Sequence, residues 1–287
     1  MEKHASPYRH DKLPPRSTRL RELGRRALAG MFAYLAFGAS SLTAAPVPHE
    51  EILPRYEVAV IGDSIAAGYG VGIPKGDCQR GDASYATLLG DMIGAKRIVN
   101  VACTGARIQD VIASQIDVIN EHTDIVFLTV GANQDGFSIG HSVAVCQEFG
   151  CGEGTDYYET TKSMLKNPRF VADYKALLTD IRDRAPNALI VDTVYPNLLE
   201  NVIVQPIARQ IIGAGSVQFS TMATDIINSH IEEAISQQHD PRIVYATPGD
   251  IGGNFVTHGP AALHPNLAGN EQIASDVRRQ ITPLLIK

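Results

Sequence analysis

Tryptophan is absent from this 287-residue chain and aromatic residues make up only 6% of it, which weakens the case for a carbohydrate-stacking platform. Long apolar runs are missing as well. The mostly apolar stretch 27–42 spans 16 positions, short of the roughly 20 that cross a bilayer as a helix. No segment repeats at a fixed period, none is of low complexity, and no Pro/Gly linker divides the chain, which argues against solenoids and adhesion arrays. Gly-rich phosphate loops are lacking too, because Gly68-Tyr69-Gly70-Val71-Gly72 has the wrong spacing for a P-loop or a dinucleotide fingerprint.

Basic charge is scarce outside the first 45 residues. Residues 1–26 are polar and basic, the apolar stretch follows, and Ser-Leu-Thr-Ala-Ala-Pro closes it, a pattern expected of a secretory signal peptide over 1–45 with cleavage after Ala45. An uncleaved anchor is the alternative. Arg25-Arg26 sits in a poor context for twin-arginine export, and no Cys follows the apolar stretch, as a lipoprotein would need. The leader holds eight Lys/Arg and three Asp/Glu, so the overall charge of −6 leaves −11 for residues 46–287. A body this acidic lacks the footprint of a nucleic-acid binder and is repelled by anionic membranes. It is long enough for one sizeable domain over 46–287, expected to act as a monomer without stable membrane insertion once the leader is removed.

The four cysteines, Cys78, Cys103, Cys146 and Cys151, all fall in the expected exported part, where disulfides form readily. Three pairings are possible, and spacing alone does not choose among them. A Cys-x4-Cys spacing without a nearby His argues against a metal site, and His122, His141, His230 and His239 lack ligand spacing. His258, six residues before His264, is a candidate for the cleft wall.

Five short Val/Ile-rich segments without alternation, at 57–61, 97–102, 125–130, 189–194 and 242–246, read as strands buried on both faces. Helical patterns lie between and after them, at 84–93, 108–120, 169–184, 217–238 and 268–281. Alternation of this kind predicts an α/β fold, a three-layer α/β/α sandwich around a five-stranded parallel sheet. Residues 135–167, with two cysteines and five glycines, form the least regular part, expected as an insertion beside the cleft or a plain surface excursion.

The first strand ends in Gly62-Asp63-Ser64, which puts a serine hydroxyl on a strand-to-helix corner at the carboxyl edge of the sheet. Either Asp63 or Ser64 could instead serve only as a helix cap. Three further stretches follow in order: Ala102-Cys103-Thr104-Gly105-Ala106, Gly131-Ala132-Asn133 and His264-Pro265-Asn266. Together the four resemble the signature blocks of the SGNH (GDSL-type) hydrolase family over about residues 56–285. The resemblance implies a flavodoxin-like strand order and a secreted, cofactor-free serine esterase or lipase-like acylhydrolase. Its substrate would be a small-molecule, lipid or acylated-glycan ester. It implies Ser64 as nucleophile, His264 as general base, and the Ser64 N–H, Gly105 N–H and Asn133 amide as oxyanion donors. Within a disulfide-containing bacterial branch of that family, it further implies the pairs Cys78–Cys103 and Cys146–Cys151. Closing the first loop would contribute roughly 3 kcal/mol by chain entropy.

Two positions depart from the family pattern. Gln134 stands where an Asp usually follows the Asn, and Ala261 stands where the triad Asp usually precedes the His by three residues. The expected outcome is a Ser–His dyad whose imidazole is oriented by the Ala261 main chain or its neighbour's, with Asp250 as the nearest carboxylate that could fold back instead. A degenerate ester- or glycan-binding protein on the same fold is the rival reading. Peptide mapping without reduction is expected to recover Cys78 with Cys103 and Cys146 with Cys151; a Cys78–Cys146 or Cys103–Cys151 peptide would overturn that pairing.

Overall fold

The computed structural model describes residues 55–285 except 135–141, 143, 144, 147, 198, 200–203 and 258, so the expected leader, His141 and His258 lie outside the described residues. Strands β1 (Tyr56–Gly62), β2 (Ala95–Asn100), β3 (Ile125–Thr129), β4 (Leu189–Thr193) and β5 (Ile243–Ala246) form one sheet in the order β2-β1-β3-β4-β5. Every pairing is parallel. β3 and β4 are buried at every residue, their apolar starts followed by the enclosed Thr129, Asp192 and Thr193, whereas Lys96 and Arg97 on β2 are exposed at the sheet edge.

Eight α-helices cover the sheet among the described residues: α1 (Ser64–Ala67), α2 (Tyr85–Met92), α3 (Ile108–Ser114), α4 (Asp156–Leu165), α5 (Arg169–Arg184), α6 (Val204–Ile211), α7 (Ala214–Ser236) and α8 (Leu267–Ile281). Helices α2 and α8 pack together, while α5 packs on α3 and α7, and α4 and α6 lie against α7. The α/β architecture therefore follows the strand and helix alternation in the sequence. None of these helices is long and apolar enough to cross a membrane.

Some boundaries differ from the sequence pattern, each for a local reason. The helical pattern at 108–120 breaks at Gln115, and a 3-10 turn, Ile116–Val118, follows. The Gln115 side chain leaves the helix to pair both backbone groups of Gly62: its Oε1 accepts from the Gly62 N–H at 2.7 Å and its Nε2 donates to the Gly62 carbonyl at 3.0 Å. The supposedly irregular 135–167 stretch contains α4, capped by Thr155, whose hydroxyl accepts from the Tyr158 N–H. Tyr158, Thr161 and Leu165 form its buried face, and Tyr157 and Tyr158 meet Phe219 of α7. Cys146 and Cys151, a few residues before α4, are bonded to each other, and both are buried.

Among the described residues two carboxyls are fully buried, Asp63 just after β1 and Asp192 in β4. Tyr174 of α5 donates to Asp192 Oδ2 at 2.6 Å, yet burial outweighs that bond and pushes the carboxyl up to about 7. Because the unfolded chain would ionise this group near 4, the folded state binds the extra proton in between, and stability falls as pH rises through that window. The midpoint of thermal unfolding should therefore gain on going from about pH 8 to about pH 5.5, and Asp192→Asn, which cannot ionise, should gain less. An equal pH response in both proteins, measured by calorimetry, would contradict this.

Candidate active site

Gly62 has φ +134°, and a Cβ there would lie 2.1 Å from the Thr129 carbonyl oxygen of β3, so only glycine lets β1 run this close to its neighbour before turning. Asp63 then caps α1: its Oδ1 accepts from the Ile65 N–H at 3.0 Å, and its own N–H donates to Thr129 O at 2.8 Å. Ser64 follows as the first residue of α1, nearly buried, at the carboxyl edge between β1 and β3.

His264 reaches the same place from the far end of the chain. Its main chain is pinned to Val256, whose N–H donates to the His264 carbonyl at 2.8 Å, while the Leu263 N–H donates back to Val256 O at 2.9 Å. Leu263 adopts φ +66°, unusual for a non-glycine residue, just before the imidazole. Behind it, Asn266 caps α8 by accepting from the Gly269 N–H, and Asn270 donates to the Pro265 carbonyl while accepting from the Tyr85 N–H of α2. These bonds hold the imidazole 2.8 Å, Nε2 to Oγ, from Ser64.

The other ring nitrogen, Nδ1, lies 3.1 Å from the Ala261 carbonyl oxygen and 3.3 Å from that of Ala262. Carbonyls only accept, so Nδ1 carries the hydrogen, and Nε2 is left to accept from the serine hydroxyl. Burial lowers the His264 pKa, against the two carbonyl bonds that raise it, so the ring stays neutral further into the acid range than a free histidine. The Tyr69 ring meets the imidazole edge-on, with centroids 5.0 Å apart. Asp250 is turned elsewhere: it is exposed, and its Oδ1 accepts from the Gly252 N–H at 2.7 Å.

Gly105 and Asn133 border the same cleft as Ser64 and His264, a hollow of about 340 Å³ walled largely by apolar groups such as Ile65, Pro196, Leu199 and Leu263. The Gly105 loop is tied down by the Cys78–Cys103 disulfide, the Thr104 N–H to Cys78 O bond at 3.2 Å, and Arg80 donating to Ala102 O. Asn133 Nδ2 donates to Ala106 O at 3.3 Å, which links the two loops directly. Gln134, the residue that departs from the family pattern, has a task of its own. Its Oε1 accepts from the Ile108 N–H at 2.9 Å and so serves the first turn of α3.

Sequence reasoning missed Tyr195, which follows β4 and lines the cleft. Its hydroxyl donates to Asp63 Oδ2 at 2.5 Å and accepts from the Ala132 N–H at 3.0 Å. Burial pushes the Asp63 carboxyl up to about 7 in spite of the bonds from Tyr195 and Ile65. The only cue in the sequence was a Tyr-Pro pair at a strand end. Of the remaining described histidines, His122 is exposed and His230 bonds the Leu165 carbonyl, and among the described residues no three His, Cys, Asp or Glu side chains converge as a metal site would need.

A parallel sheet whose edge brings a serine hydroxyl onto a neutral imidazole, beside a largely apolar cleft, has the architecture of a hydrolase acting on acyl compounds. Comparison with known proteins narrows the class. The sequence pattern of the GDSL-like Lipase/Acylhydrolase family matches residues 60–272, and the chain belongs to that family, as a hydrolase of carboxylic esters. Lipase 2 of Streptomyces coelicolor is 26% identical over 273 residues, covering 84% of this chain and 90% of that protein. A lipase of Streptomyces rimosus is 35% identical over 109 residues, a match that spans 37% of this chain and 39% of the relative. The crystal structure of an extracellular lipase from S. rimosus superposes with a TM-score of 0.59 at 21% identity, over 78% of this chain and all of the other, and shares the fold.

The turned-away Asp250 generates a mutational expectation. Asp250→Asn should leave kcat/KM within a few-fold of the parent, whereas His264→Ala should lower it by several orders of magnitude, since losing a true triad acid costs about 10⁴. A comparable collapse in both variants with the fold intact would make Asp250 the third member.

Proposed function

We propose that the mature protein is a secreted, cofactor-free serine esterase that cleaves carboxylic esters through an acyl-enzyme on Ser64. The observation that carries this reading is the 2.8 Å contact between the serine hydroxyl and His264 Nε2, with Nδ1 occupied by carbonyls. Ser64 Oγ attacks the ester carbonyl carbon as its proton passes to Nε2. The tetrahedral intermediate then collapses, the C–O bond to the alcohol breaks, and the imidazolium returns the proton to the departing oxygen. Water, deprotonated by the same nitrogen, releases the acid and restores the serine.

Negative charge on the carbonyl oxygen would be met by the N–H groups of Ser64 and Gly105 and by the Asn133 amide. Asn133 spends one N–H on Ala106 O and retains a second. Each such donor is worth roughly 10²–10³ in kcat. The apolar walls favour a lipid or simple ester, in keeping with the lipase relatives, and an acylated glycan is the less favoured substrate. Export rests on the leader at 1–45, on the paired cysteines and on the extracellular relative, and the enzyme acts as a monomer.

A series of p-nitrophenyl esters graded by acyl length tests the proposal. Turnover by the parent, its loss in Ser64→Ala, and a fall of roughly 10²–10³ in kcat for Asn133→Ala with KM within a few-fold are expected. Absence of turnover at every chain length would favour the rival reading, a binding protein without chemistry.

A further inference from the structure

Three loops from three strands meet at the cleft, and their relative positions need a common anchor. β1 delivers Asp63 and Ser64, β3 delivers Ala132 and Asn133, and β4 delivers Tyr195. The Tyr195 hydroxyl stands where the first two meet: it donates to Asp63 Oδ2 and accepts from the Ala132 N–H. With Asp63 Oδ1 already taken by Ile65, the carboxyl has a partner on each oxygen. The tyrosine itself is held by its backbone. Asn228 of α7 accepts from the Tyr195 N–H at 3.1 Å and donates to its carbonyl at 2.9 Å, closing a two-point clip.

Neither Tyr195 nor Asp63 hydrogen-bonds Oγ of Ser64 or the His264 ring in the contacts above, so neither acts on the reacting atoms directly. Both act on neighbours: Asp63 precedes the serine, and Ala132 precedes Asn133. We infer that the Tyr195 hydroxyl is the positioning group that sets the Asn133 loop against the serine turn, and so fixes the separation between oxyanion donors carried on different strands. This rests on the reading of Asn133 as an oxyanion donor. Loss of the hydroxyl would leave the Ala132 N–H without its acceptor and free the β3 loop to move, and small displacements of a catalytic group cost up to about 10²-fold in rate.

The test uses the full chain and a p-nitrophenyl ester that the parent turns over. Tyr195→Phe keeps the ring and removes only the hydroxyl; kcat should fall about 10- to 100-fold with KM within a few-fold. A merely structural contribution would not predict the next result. The double variant Tyr195→Phe/Asn133→Ala should be no slower than Asn133→Ala alone, because the tyrosine acts through the asparagine. Asn228→Ala, which loosens the clip but keeps the hydroxyl, should show a smaller loss of the same non-additive kind, and it carries the test if Tyr195→Phe fails to fold.

Additive losses would overturn the proposal, as would a Tyr195→Phe enzyme with unchanged kcat beside an impaired Asn133→Ala. If Asn133→Ala is itself harmless, the donor reading fails first and the positioning role falls with it, an outcome distinct from failure of the tyrosine alone.

Discussion

The close approach of β1 and β3 at Gly62 and Thr129 governs how the rest of the site is assembled. Because Gly62 has no side chain, its backbone can lie against Thr129, be paired on both sides by Gln115, and turn at once into the serine corner. Thr129 passes the constraint on. Its hydroxyl donates to the Thr193 carbonyl of β4 and bonds the Tyr85 hydroxyl, and the Tyr85 backbone in turn donates to Asn270, which grips the Pro265 carbonyl next to His264. A continuous series of bonds thus runs from the strand junction to the loop that presents the imidazole, which lies 200 residues beyond Ser64 in sequence. Serine and histidine are held in register by the same buried contact, so one hydrogen bond between them does not have to carry the alignment alone.

Electrostatically the site is unusual for what stands behind the imidazole. Two carbonyl dipoles occupy the position where a serine hydrolase ordinarily places a carboxylate charge. Dipoles select the tautomer as well as a carboxylate does, but in the proposed reaction they would give less help to an imidazolium. Burial favours the neutral ring, so as the proposed base His264 would be available while its conjugate acid gained little from its surroundings. On that proposal the N–H groups around the cleft would have the larger share of charge stabilisation to supply.

Much of this architecture was legible in the sequence. Unalternating Val/Ile runs marked every strand, and a Gly-Asp-Ser corner, a Gly and an Asn after successive strands, and a His before the last helix marked the cleft, where Gly62 and Gly105 take positive φ values that restrict the residue type. What escaped notice did so for physical reasons. Tyr195 has no spacing rule, since its importance arises from a side-chain bond between two loops that only the folded sheet brings together. Gln134 looked like a defect and is a helix-terminus acceptor. Helix α4 has a buried face of Tyr158, Thr161 and Leu165 that is only partly apolar, and it follows a Gly-rich stretch that drew attention to irregularity.

The carbonyls behind His264 have a consequence for heredity. A carboxylate is written in one codon and can be lost by a single base change; a main-chain oxygen is present whichever amino acid is encoded. The tautomer-setting element of this site is therefore shielded from substitution at 261 and 262 so long as the loop keeps its path. Natural variation would register it only as pressure on the shape of the turn, at Leu263 with its left-handed backbone and at Val256 opposite, and never as a retained acid.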